Sequence, residues 1–191
     1  MLALQGDFRE HIAMMRAVGA DAFEVRTADE LTDADALIIP GGESTTIGRL
    51  ARIYDMVEPL RARITAGLPV LGTCAGMIFL GTATTGRAQT QLGVLDVVVE
   101  RNAFGRQVDS FESDFAIEGF DEPMHAVFIR APWIHKVGAA VEVLAAVDDP
   151  TTGEERPVFV RQGNILATSF HPELTDDTRV HEALLAMVEE R

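Results

Sequence analysis

The chain has 191 residues, of which 47% are hydrophobic, with a formal net charge of -14 and one cysteine. This length and apolar content predict a single domain over residues 1–191, and one cysteine excludes an internal disulfide framework. The acidic net charge argues against nucleic-acid binding. No apolar run approaches the roughly 20 residues of a membrane span. No basic segment followed by an apolar stretch is visible at the N-terminus, so a cytoplasmic protein is expected.

The N-terminal part of the chain predicts strands that alternate with helices. Residues 1–5 predict a short apolar strand. The next segment predicts an amphipathic helix that Gly19 ends, and residues 22–26 and 36–39 predict two further strands. This alternation indicates a parallel sheet covered by helices on both faces, in which ligands bind at the carboxyl ends of the strands.

A loop with the sequence PGGESTT, residues 40–46, follows the third predicted strand. Its two glycines permit backbone N–H groups to approach a ligand, so the loop is a candidate binding loop. The alternative is a tight turn followed by a Ser or Thr helix cap, and the loop alone leaves both open. Two packing helices are predicted after it, one through Ile47, Leu50 and Ile53 and one over residues 56–66.

The stretch LPVLGTCAGMIFL, residues 68–80, contains the only cysteine and predicts a strand, a sharp turn and an apolar helix. Gly72 and Gly76 flank Cys74 in the Gly-x-nucleophile-x-Gly pattern of a nucleophile elbow, where small neighbours permit the tight turn. The helix N-terminus favours thiolate over thiol, and the Ala75 N–H points to where an oxyanion would form. The alternative is a buried and inert structural cysteine.

The second half of the chain is richer in strands than in helices. A turn-rich segment occupies residues 148–153. Strands are predicted at residues 93–102, 107–111, 114–117, 126–130, 141–146, 157–161 and 164–169. With little helix between them, these strands predict a largely antiparallel region. The expected fold class is therefore α/β, with a mixed, mostly parallel sheet flanked by helices and an antiparallel extension.

The last predicted strand leads into His171, Pro172 and Glu173. Pro172 biases His171 away from helix, and residues two apart in an extended segment lie on the same side, so His171 and Glu173 could be hydrogen-bonded neighbours. In isolation, a solvated histidine beside a helix-capping carboxylate is the better interpretation. A cysteine nucleophile needs a base, and the base needs an orienting acceptor, so the elbow makes a Cys74, His171 and Glu173 triad the favoured hypothesis. The other histidines are interpreted as surface or packing residues: His11, His125, His135 and His181.

Three motifs together resemble the class I, or triad, glutamine amidotransferases, which have a flavodoxin-like fold. They are PGGEST at residues 40–45, GTCAG at residues 72–76 and FHPE at residues 170–173. Further stretches at residues 2–6, 98–111 and 127–132 narrow the resemblance to the glutaminase subunits of pyridoxal 5'-phosphate synthase, the PdxT/SNO family. The resemblance covers essentially the whole chain.

This resemblance implies a reaction and a set of site residues. L-glutamine would be hydrolysed to L-glutamate and ammonia through a thioester on Cys74, with His171 as base and Glu173 orienting it, and with no metal and no cofactor. An arginine fork suits the α-carboxylate of an amino acid. The implied L-glutamine site contains Gly42, Glu43, Ser44, Arg101, Ile129 and Arg130, and the implied oxyanion hole uses the N–H groups of Gly42 and Ala75.

The resemblance also implies a partner. Ammonia would pass to a synthase subunit, a (β/α) barrel that builds pyridoxal 5'-phosphate, in a large ring of synthase subunits with glutaminase subunits attached. Gln5 and residues 103–110 are candidates for part of the docking surface. Relatives have several more apolar residues before the Leu-Gln-Gly motif, so the first strand is expected to be short here.

Three other interpretations stay open. The chain could feed a different synthase, such as the histidine-pathway cyclase, although the run RNAFGRQ at residues 101–107 argues against it. It could be a cysteine peptidase or chaperone of the related elbow class, which would be expected to lack the His-x-Glu pair. It could also be a non-catalytic binding subunit that has kept the fold.

Overall fold

The computed structural model describes residues 1–86, 88–101, 110–149 and 153–190. Its helices are α1 (Phe8–Ala17), α2 (Ala28–Thr32), α3 (Ser44–Ile53), α4 (Val57–Thr65), α5 (Ala75–Leu80) and α6 (Arg179–Glu189), with a 3₁₀ turn at Pro172–Leu174. Its strands are β1 (Leu37–Ile39), β2 (Val70–Thr73), β3 (Gly81–Thr84), β4 (Leu95–Glu100), β5 (Ser110–Phe115), β6 (Met124–Ile129), β7 (Trp133–Val137), β8 (Glu142–Asp148), β9 (Glu155–Gln162) and β10 (Ile165–Thr168). None of the described helices has the length and apolar character needed to cross a membrane.

Local sequence signals explain where several helices begin and end. α2 opens with a capping box, in which the Thr27 side chain accepts from the Glu30 N–H and the Glu30 side chain accepts from the Thr27 N–H. Gly19, with φ of 89°, follows the end of α1, where a left-handed backbone suits glycine. The Asn164 side chain donates to the carbonyls of Ile64 and Leu68 at 2.9 and 2.6 Å, which ties the end of α4 to the start of β10.

The central sheet has the strand order β1-β2-β10-β9-β8. β2 pairs in parallel with β1 and β10, whereas β9 runs antiparallel to both β10 and β8. At the β1 edge, the Leu2 N–H donates to the Ile38 carbonyl at 2.9 Å, and Leu2 forms a parallel bridge with Val25. Because Thr73 and Thr168 are register partners, the carboxyl ends of β2 and β10 lie side by side.

The two faces of the central sheet bury separate apolar clusters. Leu37 and Val70 belong to one cluster and Ile38 and Leu71 to the other, as expected from the alternation of side chains along a strand. Residues of α3, α4 and α5 pack on the first face, and residues of α1 and α6 pack on the second. Two smaller sheets, β3-β4-β7 and β5-β6, complete the described fold.

The predicted α/β class, with a mixed sheet and an antiparallel extension, is confirmed. The first two predicted strands are wrong as strands, because residues 1–5 and 22–26 form only an isolated bridge between Leu2 and Val25, beside the hydrogen bond from Leu2 to Ile38. The strands predicted at 107–111 and 114–117 are one strand, β5, within the described residues, and residues 107–109 lie outside them. The sequence analysis missed β3, β7, α2 and α6.

Candidate active site

The elbow at Cys74 joins β2 to α5 through a closely packed turn. A Cβ on Gly76 would overlap the Ile39 carbonyl, and one on Gly72 would overlap the Gly76 backbone, so neither position has room for a side chain. Cys74 has φ of 47° and ψ of -101°, a conformation that costs a non-glycine residue roughly 1–3 kcal/mol. Its N–H donates to the Thr168 carbonyl at 2.8 Å, which holds the strained residue at the end of β2.

The segment after β10 brings His171 to the same edge of the sheet. The His171 N–H donates to the Val127 carbonyl of β6 at 2.9 Å. The preceding residue, Phe170, is fully buried and makes edge-to-face contacts at centroid distances of 5.6, 5.7 and 6.1 Å with Phe115, Phe128 and Phe159. These contacts anchor the backbone that carries His171.

Cys74, His171 and Glu173 form a connected group. His171 Nδ1 lies 2.7 Å from Glu173 Oε1, which leaves Nε2 of the ring for the hydrogen bond with the Cys74 thiol. Burial alone lowers the pKa of His171, but the hydrogen bonds with Cys74 and Glu173 outweigh it and raise the pKa to about 10. The arrangement therefore favours a protonated His171 ring between Cys74 and Glu173, as a cysteine nucleophile with its base requires.

Gly41, in the loop between β1 and α3, packs directly against the triad. A Cβ on Gly41 would lie 2.5 Å from His171 Cε1, so the close approach of loop and ring depends on glycine. The Gly41 N–H donates to Thr73 Oγ1 at 3.0 Å, and the Gly41 carbonyl accepts from the Asp7 N–H at 3.2 Å. The loop is thus tied both to β2 and to the residue before α1.

Glu43 holds the remainder of this loop. Its N–H donates to Gln5 Oε1 at 2.7 Å, and its carboxylate caps α3 by accepting from the N–H groups of Thr45 and Thr46 at 3.3 and 2.7 Å. Burial raises the pKa of Glu43, but hydrogen bonds from these two threonines outweigh it and lower the pKa to about 2. The loop therefore does contain a helix cap, although the capping residue is Glu43 rather than Ser or Thr.

A cavity of about 400 Å³ opens beside Cys74, large enough to hold an amino acid. Every predicted site residue except Glu173 lines this cavity: Gly42, Glu43, Ser44, Cys74, Ala75, Arg101, Ile129, Arg130 and His171. Glu173 lies behind His171 with its side chain fully buried. The fold thus brings together residues from five separate stretches of the chain, and their individual roles remain predictions.

Gln89 is a residue of this region that the sequence analysis missed. Its Oε1 accepts from Ser44 Oγ at 3.1 Å and from Arg101 Nη1 at 3.0 Å. Arg101 Nη2 also lies 3.4 Å from Glu43 Oε1. Gln89 therefore links the first residue of α3 to the residue that follows β4. A single glutamine in a polar segment gives no signal of such a role.

Two histidines lie behind the triad. They are buried, as packing residues would be, but the sequence analysis missed their contacts with the triad and with each other. His11 Nε2 is 3.2 Å from Glu173 Oε2, and His11 Nδ1 is 2.9 Å from His181 Nε2, with both histidines fully buried. The packing of α1 and α6 on one face of the sheet brings the two histidines together, and no local sequence pattern predicts this contact. His125 and His135 are exposed, as expected.

Asp7 is a further residue of the cavity that the sequence analysis missed. Its Oδ2 lies 3.9 Å from His171 Nδ1. Together with His171 and Glu173 it forms the one group of three potential metal ligands within the described ranges. Since His171 and Glu173 already pair with each other, the triad accounts for this grouping. Of the predicted docking residues, Gln5 lines the cavity, Ser110 is exposed, and residues 103–109 lie outside the described part of the chain.

The fold and the arrangement at its strand ends are those of a glutamine amidotransferase of the triad type. The family model described as the SNO glutamine amidotransferase family matches residues 1–190, and the chain belongs to that family. A crystal structure described as a glutamine amidotransferase superposes on the chain with a TM-score of 0.91 at 52% sequence identity, covering 98% of this chain and 97% of the other. The family resemblance found in the sequence is confirmed.

Curated relatives carry a more specific name. The chain is 60% identical to pyridoxal 5'-phosphate synthase subunit PdxT of Parafrankia sp. (strain EAN1pec), over 98% of this chain and 91% of the relative. It is 55% identical to the subunit of the same name from Mycolicibacterium vanbaalenii, over 97% of this chain and 95% of the relative.

Proposed function

We propose that this chain is the glutaminase subunit of a pyridoxal 5'-phosphate synthase and that residues 1–191 act as one domain. The name of the relatives supports the biosynthetic assignment. The observation that carries the chemistry is the Cys74, His171 and Glu173 group at the edge of a cavity of about 400 Å³. The reaction is hydrolysis of the side-chain amide of L-glutamine.

The thiolate of Cys74 attacks the amide carbon of glutamine, and the carbonyl oxygen takes the negative charge. The imidazolium of His171 gives its proton to the amide nitrogen, and the carbon–nitrogen bond breaks. Ammonia departs, and the glutamyl group remains bound to Cys74 as a thioester. His171 then takes a proton from water, the resulting hydroxide attacks the thioester, and glutamate and the thiolate are released. Glu173, bonded to His171 Nδ1 at 2.7 Å, keeps the ring aligned through both steps.

The cavity lining suits the charged ends of an amino acid. Arg101 and Arg130 supply guanidinium groups for the α-carboxylate. Because the pKa of Glu43 is lowered to about 2, this residue stays anionic and attracts the α-ammonium group. Gly42, Ser44 and Ile129 form the remaining walls around the substrate.

The oxyanion hole is formed by the N–H groups of Ala75 and Gly42. The carbonyl of the peptide between Gly41 and Gly42 accepts a hydrogen bond of 3.2 Å from the Asp7 N–H. Docking of the synthase near Gln5 turns this peptide and completes the hole. The glutaminase is therefore slow alone and fast in the complex.

The partner is a (β/α) barrel synthase subunit that forms a large ring carrying glutaminase subunits, and the complex works in the cytoplasm. A sealed contact between the two subunits is required, because ammonia that escapes into water is protonated and lost as a nucleophile. Gln5 at the cavity and the segment that includes residues 103–110 are its proposed contacts on this chain.

The test is glutamate release from L-glutamine by the chain alone, with its synthase partner, and with the Cys74→Ala variant under both conditions. We expect strong stimulation by the partner and no release by Cys74→Ala. The matched control is Thr65→Ala, an exposed change at the end of α4 that lies outside both the cavity and the proposed docking contacts.

Other results would contradict separate parts of the proposal. Equal rates with and without the partner would overturn the docking-dependent oxyanion hole. Release that survives in Cys74→Ala would overturn the thioester. Stimulation by another synthase, such as the histidine-pathway cyclase, but not by the pyridoxal 5'-phosphate synthase would overturn the biosynthetic assignment.

A further inference from the structure

Behind the triad lies a buried group of polar side chains that the proposed hydrolysis does not use. His11 comes from α1, Thr73 from the end of β2 and His181 from α6, and each has 0% of its surface exposed. His11 contacts His181, Thr73 and Glu173 of the 3₁₀ turn, which is also buried. Burying four polar groups is costly unless they satisfy one another. The contacts among these side chains therefore restrict the positions of all four residues.

The distances place the protons in this group. His11 Nε2 lies 3.1 Å from Thr73 Oγ1 and 3.2 Å from Glu173 Oε2. Because a carboxylate only accepts, we assign the proton of His11 to Nε2, where it faces Glu173 Oε2 and Thr73 Oγ1. His11 Nδ1 is then an acceptor, and His181 Nε2, 2.9 Å away, is its donor. His181 thus selects the tautomer of His11.

The N–H of His11 faces an oxygen, Glu173 Oε2, for which the described residues supply no other donor. Glu173 Oε1 is bonded to His171, while Oε2 meets no donor in full hydrogen-bond geometry among the described residues. His11 Nε2 is the one nitrogen recorded within ion-pair distance of Oε2 there. Without His11, Oε2 would be a buried carboxylate oxygen with no partner, and Glu173 would be free to turn away from His171.

The pKa values in this region favour a single positive charge, that of the His171 imidazolium. Burial lowers the pKa of His11 well below its usual value, with further lowering by His181, His171 and the N-terminal ammonium of Met1. Burial also lowers the pKa of His181 to about 4. A neutral His11, itself held by a neutral His181, can hold Glu173 without competing with the His171 imidazolium for the charge of the carboxylate. A lysine or arginine in place of His11 would compete for it.

Thr73 extends the same contact to the loop beside the cavity. Its Oγ1 accepts the Gly41 N–H at 3.0 Å, and its backbone leads directly into Cys74. Gly41 in turn packs against the His171 ring and precedes Gly42, the proposed oxyanion residue. His11 therefore contacts both the acid of the triad and the side chain that anchors the loop.

We propose that His11 is a positioning residue for the proposed glutaminase reaction, on which this inference rests. Its Nε2–H fixes Glu173 behind His171 and steadies Thr73 beneath the Gly41 loop. His181 acts one step further away by holding His11 in the required tautomer.

The test compares three variants of the chain in complex with its synthase. His11→Gln keeps an N–H at the position of Nε2, because the two nitrogens are the same number of bonds from Cα, whereas His11→Leu removes it. Ile12→Ala is the matched control, a buried neighbour on α1 outside the polar group. Thermal unfolding of each variant is measured beside kcat and KM for glutaminase activity.

We expect His11→Leu to lose on the order of 10- to 100-fold in kcat, with little change in KM, because the triad is misaligned while the cavity is kept. His11→Gln should recover most of that loss. The alkaline limb of the kcat profile should move to lower pH by roughly one unit in His11→Leu, since a displaced Glu173 supports the imidazolium less well. Ile12→Ala should lose thermal stability without any of these changes.

Wild-type kcat in His11→Leu would overturn the proposal. So would equal losses in His11→Gln and His11→Leu with an unchanged pH profile, because those belong to a structural residue. Failure of the proposed function is distinguishable, since it would appear as no glutamate release by the wild-type complex itself.

Discussion

Replacing Gly41 with alanine tests whether the close contact between loop and triad controls the reaction. Gly41 does not have a left-handed backbone, so alanine introduces no conformational strain there. The new Cβ would lie 2.5 Å from His171 Cε1 and 3.0 Å from His171 Nδ1. Either the ring or the loop must give way, and both belong to the proposed catalytic site.

The size of the effect follows from these distances. Ordinary contact begins at about 3.4 Å, so ring and loop must separate by about 0.9 Å. A misplacement near 1 Å costs on the order of 100-fold in rate, equivalent to about 2.7 kcal/mol of activation free energy. The accompanying loss of stability should be about 1–3 kcal/mol, with Tm falling about 2–4 °C for each kcal/mol.

The assay is steady-state glutamate release by the complex, with Tm measured on the same protein. The matched control is Gly81→Ala in β3, where the nearest atom to the new Cβ is the Val97 carbonyl oxygen at 3.3 Å, away from the cavity. Gly81→Ala should keep the wild-type kcat. A wild-type kcat in Gly41→Ala as well would refute the reasoning, because it would mean that the ring tolerates displacement.

Three further changes test other contacts. Glu43→Gln removes a carboxylate helix cap and should lower the free energy of unfolding by about 1 kcal/mol at neutral pH. Folding lowers the pKa of Glu43 from 4.5 to about 2, so the carboxylate stabilises the fold fully above pH 4.5 and loses this effect as the pH falls toward 2. The difference in Tm between wild type and Glu43→Gln should therefore shrink in acid. Gln89→Ala removes the acceptor shared by Ser44 and Arg101, and should raise KM for glutamine roughly 5- to 10-fold with little change in kcat. Phe170→Ala empties the centre of the aromatic cluster and should cost about 3–5 kcal/mol of stability in urea unfolding.

Each of these three expectations has a clear contrary result. A stability difference for Glu43→Gln that stays constant with pH would show that the carboxylate charge is not what caps α3. An unchanged KM in Gln89→Ala would separate this residue from substrate binding. A Phe170→Ala protein as stable as wild type would mean that the surrounding rings close the cavity on their own.

The elbow shows how far local sequence goes. Gly72, Cys74 and Gly76 predicted a strand, a tight turn and a helix, and the structure has β2, the turn and α5 in that order. The reason for Gly76 is tertiary, however: it admits the Ile39 carbonyl of a neighbouring strand. The spacing of His171 and Glu173 likewise predicted a contact that the structure contains at 2.7 Å.

The first predicted strand shows where local patterns fail. Residues 1–5 are as apolar as a strand requires, but a strand is defined by the partners that it finds. Here the pairing joins residues 1–3 to Val25 and Ile38 and ends before Gln5. The Gln5 side chain instead accepts a hydrogen bond from the Glu43 N–H. Strand propensity cannot predict such a contact with a distant loop.

The sequence by itself determined the α/β class, the elbow, the turn at residues 40–46 and the His-x-Glu pair, because each depends on residues close together in the chain. Only the tertiary structure decided which distant side chains complete the site. His11 and His181 are 170 positions apart and meet at 2.9 Å because α1 and α6 cover the same face of the sheet. Gln89 meets Ser44 across 45 positions for a similar reason. Contacts of this kind arise from packing, which satisfies buried polar groups wherever the chain happens to bring them.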